Sequence, residues 1–260
     1  MLKRSFLNRQ EPAVAMLYRP LSAGEAVAGA LSAEYDGADG IAIEISAMPE
    51  NERSVEVFRK IIDSVQLPFM FIDYRNDVIC GADDDKRQEF LLMAADAGAD
   101  VIDVMGDLYA PAPRELATDC AAIAKQKKLI EQIHARGSFA LMSSHAANEF
   151  VPPEDVLAMM QEQSSRGADI LKVVTAVNSE DEFQEAIRTL LLLNRELDKP
   201  FIYLGVGKFG RMIRYIGPKF GAAVTFGVHD YDEKGIYVQQ PSIKSFRQVL
   251  DNLKWDIRNC

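Results

Sequence analysis

The strongest constraint on the fold is a regular alternation of short apolar runs with longer amphipathic segments. The runs are short and almost continuously apolar, which is typical of strands buried on both faces of a parallel sheet. We predict eight strands, at residues 13–18, 40–45, 69–73, 101–105, 139–143, 170–174, 201–204 and 222–226. The segments between them have helical spacing, for example at residues 86–97 and 181–197.

Glycines at the ends of the predicted helices repeat along the chain. Glycine adopts the left-handed conformation that ends a helix and turns the chain towards the next strand. Such helix–glycine–strand junctions indicate repeated αβ units; they occur at Gly37, Gly98, Gly137, Gly167 and Gly221. Eight units in 260 residues predict the α/β class, as a (β/α)8 TIM barrel with a short N-terminal extension over residues 1–12 that closes the barrel floor.

A doubly wound open sheet is the alternative architecture. Its dinucleotide-binding members carry a GxGxxG turn after the first strand, and this chain has none there. No linker rich in Pro, Gly or Ser divides the chain. We therefore predict a single domain over residues 1–260.

Charge and cysteine usage limit the possible partners. The formal net charge is -10, which disfavours binding to nucleic acid or to an anionic membrane. The chain has three widely spaced cysteines, which argues against a disulfide framework and a structural zinc site. We expect a reducing cytoplasm as the location, and no apolar run is long enough to cross a bilayer.

Lys172 is the most informative single residue, because it lies inside the predicted sixth strand, Ile-Leu-Lys-Val-Val. Burial lowers the pKa of an amine, so that part of it is neutral and can attack a carbonyl carbon to form a Schiff base. Active sites of TIM barrels lie at the carboxyl ends of the strands, where this lysine belongs. The alternative is a structural lysine paired with Glu44 or Asp103 across the barrel.

His145 follows the predicted fifth strand and should lie at the mouth beside Lys172. Histidine is suited to proton transfer near neutral pH. The alternative is a loop histidine bonded to a backbone carbonyl group. The other two histidines are weaker candidates: we expect His134 on the surface of a helix and His229 in a solvated loop.

Arg211 and Arg214 follow the predicted seventh strand in a glycine-rich segment. Arginine can bind a carboxylate with two hydrogen bonds, and glycines allow an anion to approach the backbone. A phosphate site is an alternative, since barrels often bind phosphate after strands seven and eight. A surface cation paired with an acid is the other possibility.

These segments together resemble the type I 3-dehydroquinate dehydratases, over roughly residues 13–256. Residues 207–214 (GKFGRMIR) and 217–227 (GPKFGAAVTFG) resemble the family block MGxxGxxSR…GxxFGSxxTFG. Residues 167–172 (GADILK) resemble the GADxxK segment, whose lysine forms the Schiff base. Residues 143–145 (SSH), with prolines at 152 and 153, resemble the segment that carries the general acid/base histidine.

The resemblance implies a function and a set of site residues. Lys172 would condense with the ring ketone of 3-dehydroquinate, and His145 would move the protons that release water and leave 3-dehydroshikimate. Arg214 falls on the arginine that binds the substrate carboxylate, and Gln240 on the glutamine of the loop after strand eight, residues 228–240, which would act as a lid. A small-molecule carboxylate would be the ligand, no metal or organic cofactor would be needed, and a homodimer is expected.

The sequence departs from the family pattern around the substrate hydroxyl groups. The family has Glu-x-Arg at the end of strand two, and here Glu44 is followed by Ser46. Asp-x-Glu at the end of strand four becomes Asp103-Val-Met105. The serine of the lid loop falls on Ile236.

A second departure concerns the carboxylate that orients the catalytic histidine. The family has an arginine after strand three and a glutamate four residues later. Here Arg75 is displaced by about one residue, and Ile79 stands at the glutamate position. Asp73 and Asp77 are the nearby replacements.

These departures leave three readings open. The first is a 3-dehydroquinate dehydratase that binds its substrate through Arg214, Glu44, Arg75, Gln240 and Ser46. The second is a Schiff-base lyase acting on a different cyclic keto acid, and the third is a non-catalytic barrel that binds such an acid.

Overall fold

The computed structural model describes residues 5–7, 9–231 and 237–259. Eight parallel strands form one sheet in the order β7-β6-β5-β4-β3-β2-β1-β8. The backbone N–H of Ala223, just before β8, donates to the carbonyl oxygen of Phe201 in β7 at 2.8 Å, so the two ends of the sheet meet. The prediction of a (β/α)8 barrel is confirmed.

Strands and helices alternate throughout. The strands are β1 Ala13–Tyr18, β2 Gly40–Glu44, β3 Phe69–Ile72, β4 Val101–Met105, β5 Phe139–Ala146, β6 Ile170–Ala176, β7 Phe201–Val206 and β8 Val224–Gly227. The helices are α1 Ala23–Tyr35, α2 Val55–Ile62, α3 Asp84–Ala97, α4 Cys120–Ala135, α5 Pro153–Ser165, α6 Glu180–Glu196, α7 Gly210–Ile216 and α8 Ile243–Asn252. Among the described residues, no helix is both long enough and apolar enough to span a membrane.

The helix–strand junctions have the predicted conformation. Gly98 ends α3 with φ of 103°, and Gly167 follows α5 with φ of 104°. Residues with a β-carbon are strained in this region, so the glycines permit the short turn into β4 and β6.

The predicted fifth strand, which ended at residue 143, was too short. The strand continues to Ala146, because its backbone stays paired with β6 as far as Ala146 opposite Thr175. Serine and histidine at positions 143–145 concealed this extension, since the apolar pattern stops before them. His145 therefore lies within β5 and not in the loop after it.

Two apolar clusters stabilise the barrel. The larger lies between strands and helices, and the smaller fills the barrel interior. Phe6 belongs to the interior cluster, is 3% exposed, and its backbone N–H donates to Asp100 at 2.8 Å. The N-terminal extension thus supplies a side chain that packs inside the barrel, beside Gly40 at the start of β2.

Candidate active site

Strand alternation decides which polar side chains enter the barrel. Successive side chains of a strand point to opposite faces, so every second residue faces inwards. In β6 the interior cluster contains Ile170 and Val174, which places Lys172 between them inside the barrel. In β5 it contains Leu141, so His145, four residues later, also points inwards.

Lys172 is buried at 4% exposure and lies close to two oxygen atoms. Its Nζ atom is 2.7 Å from the hydroxyl of Tyr74 and 3.5 Å from Oδ2 of Asp103. Burial lowers the pKa of Lys172; Asp103 and Glu115 oppose the shift, and the charge of Arg214 adds to it. The Asp103 partner considered for a structural lysine is therefore present, and the lowered pKa increases the fraction of Lys172 that is neutral and nucleophilic.

A carboxylate lies against His145, and it belongs to Glu115. Nδ1 of the imidazole is 2.6 Å from Oε2 of Glu115, and the same oxygen accepts a hydrogen bond from the backbone N–H of His145 at 3.1 Å. Burial opposes ionisation of Glu115, but the hydrogen bond and charge of His145 and the charge of Lys172 lower the pKa of this carboxyl. Glu115 is therefore ionised and holds the imidazole in one orientation.

Glu115 reaches His145 from a short 3-10 turn, Pro113–Glu115, in the segment that follows β4. Arg114 and Glu115 have φ of 56° and 50°, a left-handed conformation that is strained for residues with a β-carbon. The Glu115 carbonyl oxygen also accepts a hydrogen bond from Ser144 of β5 at 2.9 Å. This contact anchors the turn to the strand that carries His145.

The suggestion that Asp73 or Asp77 orients His145 was wrong. Arg53 is 2.5 Å from Asp77 and 3.9 Å from Asp73, and all three side chains are fully buried. Burial and then the nearby Asp77 raise the pKa of Asp73 to about 8. One carboxylate oxygen of Asp73, one of Asp77 and Sγ of Cys80 lie within 4.8 Å of one another. The guanidinium of Arg53 is the positive charge that pairs with this group of acids.

Arg75 turns away from Lys172 and His145. The inward residues of β3 are Met70 and Ile72, so Tyr74 continues the inward series and Arg75 falls on the opposite face. Its guanidinium is 2.7 Å from Asp107 and 3.2 Å from Asp84. It still borders the mouth, on a cavity of about 290 Å³ lined by Tyr74, Arg75, Asn76, Met105, Glu115 and His145.

Glu44 and Ser46 lie together at the end of β2. Both are buried, and the Ser46 hydroxyl donates to Oε1 of Glu44 at 2.6 Å. Asn76 donates to the same oxygen at 2.8 Å, and the Tyr237 hydroxyl donates to Oε2. Arg19, just after β1, brings a positive charge to 3.7 Å from Oε1.

Arg214 and Gln240 form a second pair at the mouth. Arg214 is 3% exposed; it donates to the carbonyl oxygen of Gly205 at 2.9 Å and to Oε1 of Gln240 at 2.7 Å. Burial lowers its pKa to about 10, so the guanidinium remains charged at neutral pH. Within the residues that the structure describes, it forms no ion pair with a carboxylate.

The remaining candidates lie outside this cluster. Arg211 is exposed and donates to the backbone of Val238. His134 pairs with Asp169 at 2.7 Å on the surface, and His229 pairs with Asp36 at 2.5 Å. Of the loop over residues 228–240, the described parts contribute Tyr237 and Gln240 to the mouth; Ile236 is not among the described residues.

The sequence analysis missed two residues of the site, Glu115 and Tyr74. Glu115 lies ten positions beyond the Asp-x-Glu position of the family pattern, in a segment with no motif. Tyr74 carries a usable signal, because it continues the alternating inward series of β3. That series becomes visible only when the strand is extended beyond its apolar run.

Comparison with known proteins shows the family and the fold of the chain. The family model for type I 3-dehydroquinase matches residues 32–256. A 3-dehydroquinate dehydratase of Klebsiella pneumoniae is 31% identical over 141 residues, which are 54% of this chain and 53% of the relative. The chain thus spans about half the length of the curated relatives it matches.

Solved structures share the fold over almost the whole chain. A 3-dehydroquinate dehydratase from Geobacillus kaustophilus superposes with a TM-score of 0.78 at 20% identity, covering 95% of this chain and 93% of the other. A type I enzyme from Clostridium difficile, solved with covalently modified comenic acid, has a TM-score of 0.78 at 19% identity, covering 95% and 94%. Because the family model covers most of the sequence, the chain belongs to the type I 3-dehydroquinase family.

Proposed function

We propose that this protein is a Schiff-base-forming dehydratase, a carbon–oxygen lyase that converts 3-dehydroquinate to 3-dehydroshikimate through an iminium on Lys172. The observation that carries the proposal is a buried lysine of lowered pKa beside a histidine held by a carboxylate. Family membership and the names of the curated relatives support the choice of substrate.

Lys172 and His145 have different roles in this reaction. The neutral amine of Lys172 attacks the ring ketone, and loss of water leaves an iminium that withdraws electrons from the adjacent carbon. His145 removes the proton from that carbon, the carbon–oxygen bond of the departing hydroxyl breaks, and His145 returns the proton to that oxygen. Water then hydrolyses the iminium and frees Lys172.

The buried guanidinium of Arg214 supports a carboxylate as the substrate anion. A buried cation without a counterion is costly, and a bound carboxylate would supply two charge-assisted hydrogen bonds. Gln240 now accepts one N–H of this arginine and would move or share it when the ligand binds. We infer that the substrate carboxylate sits between Arg214 and the loop that carries Gln240.

A second candidate substrate follows from the altered hydroxyl-binding region. Position 46 is a serine bonded to Glu44, and Arg75 is engaged by Asp107 and Asp84. Loss of a buried polar contact can reduce discrimination by about 10⁴-fold. A less hydroxylated or differently substituted cyclic keto acid is therefore the alternative. If 3-dehydroquinate is the substrate, Arg19 is a candidate to replace the missing arginine, since it lies 3.7 Å from Glu44.

The decisive experiment is reductive trapping. We expect that incubation with 3-dehydroquinate, reduction with borohydride and peptide mass spectrometry will locate an adduct on Lys172, with turnover in the untreated enzyme. An adduct on Lys172 with other cyclic keto acids but not with 3-dehydroquinate would favour the second candidate. If every keto acid tried labels exposed lysines and leaves Lys172 unlabelled, the result would contradict a Schiff-base enzyme and favour a binding protein.

Glu115→Gln is expected to reduce kcat by about 10²- to 10³-fold, because the imidazole loses the charge that stabilises its protonated form. Substrate affinity should change little, since Glu115 acts through His145. Steady-state kinetics separate kcat from KM. Glu154→Gln is the matched control, because Glu154 pairs with Arg188 on the surface; equal losses in both variants would contradict the role of Glu115.

The sequence-based expectations of a homodimer, a cytoplasmic location and a place in aromatic amino acid biosynthesis by the shikimate pathway are part of this proposal. The homodimer and the pathway follow from the resemblance, and the cytoplasmic location follows from the cysteine content. Rescue of a shikimate-pathway auxotroph tests the pathway assignment directly.

A further inference from the structure

Lys172 and His145 face the same space, but no hydrogen bond joins them in the described part of the chain. The hydroxyl of Tyr74 stands between them. It accepts a hydrogen bond from Nζ of Lys172 at 2.7 Å and lies 3.5 Å from Nε2 of His145. The Tyr74 and His145 rings meet edge to face, with centroids 5.1 Å apart and an interplanar angle of 83°.

The contacts of His145 fix the direction in which a proton can move. Nδ1 faces an ionised carboxylate at 2.6 Å, so this nitrogen carries the hydrogen and donates it to Glu115. In the neutral imidazole, Nε2 is then the acceptor, and the Tyr74 hydroxyl lies 3.5 Å from it. The imidazole therefore presents its basic nitrogen to the phenol.

Tyr74 itself stays a neutral phenol. Burial, followed by the negative charges of Asp103 and Glu44, raises its pKa well above 10. It can therefore accept a proton from one neighbour only by giving its own to another. A hydroxyl has one hydrogen to give and lone pairs to receive one, which is the requirement for a relay.

The proposed function needs such a relay. A lysine in water is an ammonium ion near neutral pH, whereas the attack on a ketone requires the neutral amine. The proton must leave a side chain that is 4% exposed, so direct transfer to bulk water is hindered.

We propose that Tyr74 carries the proton from the Lys172 ammonium to His145 before the amine attacks its carbonyl substrate; this step rests on the Schiff-base function proposed above. An N–H bond of Lys172 breaks as a new O–H bond forms on Tyr74. The original O–H bond of Tyr74 breaks as an N–H bond forms on Nε2 of His145. The products are a neutral amine and an imidazolium ion that faces Glu115, with no change in oxidation state.

Asp103 is the competing acceptor. It lies 3.5 Å from Lys172, and Tyr74 donates to it at 3.1 Å in the resting arrangement. Its other oxygen accepts the Ser143 hydroxyl at 2.6 Å, so the carboxylate is already held by hydrogen bonds. An imidazole is the stronger base of the two types, and hydrogen bonds that are long in a free enzyme often shorten when the substrate binds.

The test uses glyoxylate, a small aldehyde acid, so that it does not depend on the identity of the natural substrate. Borohydride fixes the imine as carboxymethyl-lysine, and mass spectrometry of the Lys172 peptide gives its rate of formation. Near pH 7 we expect Tyr74→Phe to slow this rate by about 10²-fold, the scale of one lost proton-transfer group. At about pH 10.5, where an amine deprotonates without an internal acceptor, the rate should return to that of the wild type.

Two further variants separate a relay from a loss of structure. Tyr203→Phe removes another buried hydroxyl, which lies 3.0 Å from Thr175, and should leave the rate unchanged at both pH values. His145→Gln should give the same deficit near neutral pH as Tyr74→Phe, and the double variant should be no slower than either. Circular dichroism verifies folding.

Three outcomes would overturn the relay. They are equal rates in Tyr74→Phe and Tyr203→Phe near neutral pH, a deficit that persists unchanged at alkaline pH, and additive deficits in the double variant. A wild-type enzyme whose Lys172 fails to react with glyoxylate near neutral pH would overturn it as well. Failure to trap 3-dehydroquinate, with the glyoxylate results as expected, contradicts the proposed substrate and leaves the relay standing.

Discussion

Lys172→Met is expected to abolish the borohydride-trapped adduct and to reduce turnover on the order of 10⁶-fold, the scale seen when a covalent nucleophile is removed from an enzyme. Methionine retains much of the volume of lysine, so the barrel interior stays filled. The loss of turnover would therefore result from the missing amine and not from a cavity in the barrel. The amine is the group whose pKa burial lowers in this structure.

Lys219→Met is the matched control, since Lys219 is also buried but lies in the turn before β8. It should keep both the adduct and the turnover. Substrate binding by Lys172→Met, measured by calorimetry, should remain because Arg214 and Gln240 are intact. Full turnover without the amine would contradict covalent catalysis and would require a different mechanism in the same barrel.

His145→Gln has the second largest expected effect. Removal of the general acid/base should reduce kcat by about 10²- to 10⁴-fold, because both the carbon proton and the departing hydroxyl depend on it. Trapping at alkaline pH, where the amine needs no internal acceptor, should still label Lys172. The variant therefore separates formation of the iminium from its dehydration.

His134→Gln provides the comparison for this substitution. His134 also pairs with a carboxylate, that of Asp169, but lies on the surface of α4. Its kcat should match that of the wild type. If His145→Gln kept wild-type turnover, proton transfer would have to be assigned to another polar group, such as Tyr74, Asp103 or Glu115, which lie beside Lys172 or His145.

The eight strands and the helices between them could be predicted because each is encoded locally. A continuous apolar run of five or so residues followed by an amphipathic segment has few foldable solutions other than an αβ unit. Lys172 and Arg214 could be singled out as candidate site residues for a related reason. A lysine inside such a run, or an arginine in a glycine-rich segment after one, stands out against a background that excludes charge.

Sequence patterns are least informative for residues whose surroundings depend on the face of a strand or on a distant segment. Arg75 was expected to bind substrate, but the alternation of β3 directs it to Asp107 and Asp84 and turns Tyr74 inwards. Its position in the sequence differs by one residue from the family pattern. In a strand, a shift of one residue exchanges the two faces, so a small difference in the alignment becomes a large one in space.

The sequence by itself determined the barrel and the position of Lys172 inside β6, because hydrophobic pattern and buried charge are readable one segment at a time. The tertiary structure alone decided which carboxylate orients His145, since Glu115 arrives from a strained turn thirty positions away. It also decided that a phenol separates the amine from the imidazole. Both contacts join different βα units: Glu115 and His145 belong to neighbouring units, whereas Tyr74 of the third unit meets Lys172 of the sixth because the sheet curves into a barrel.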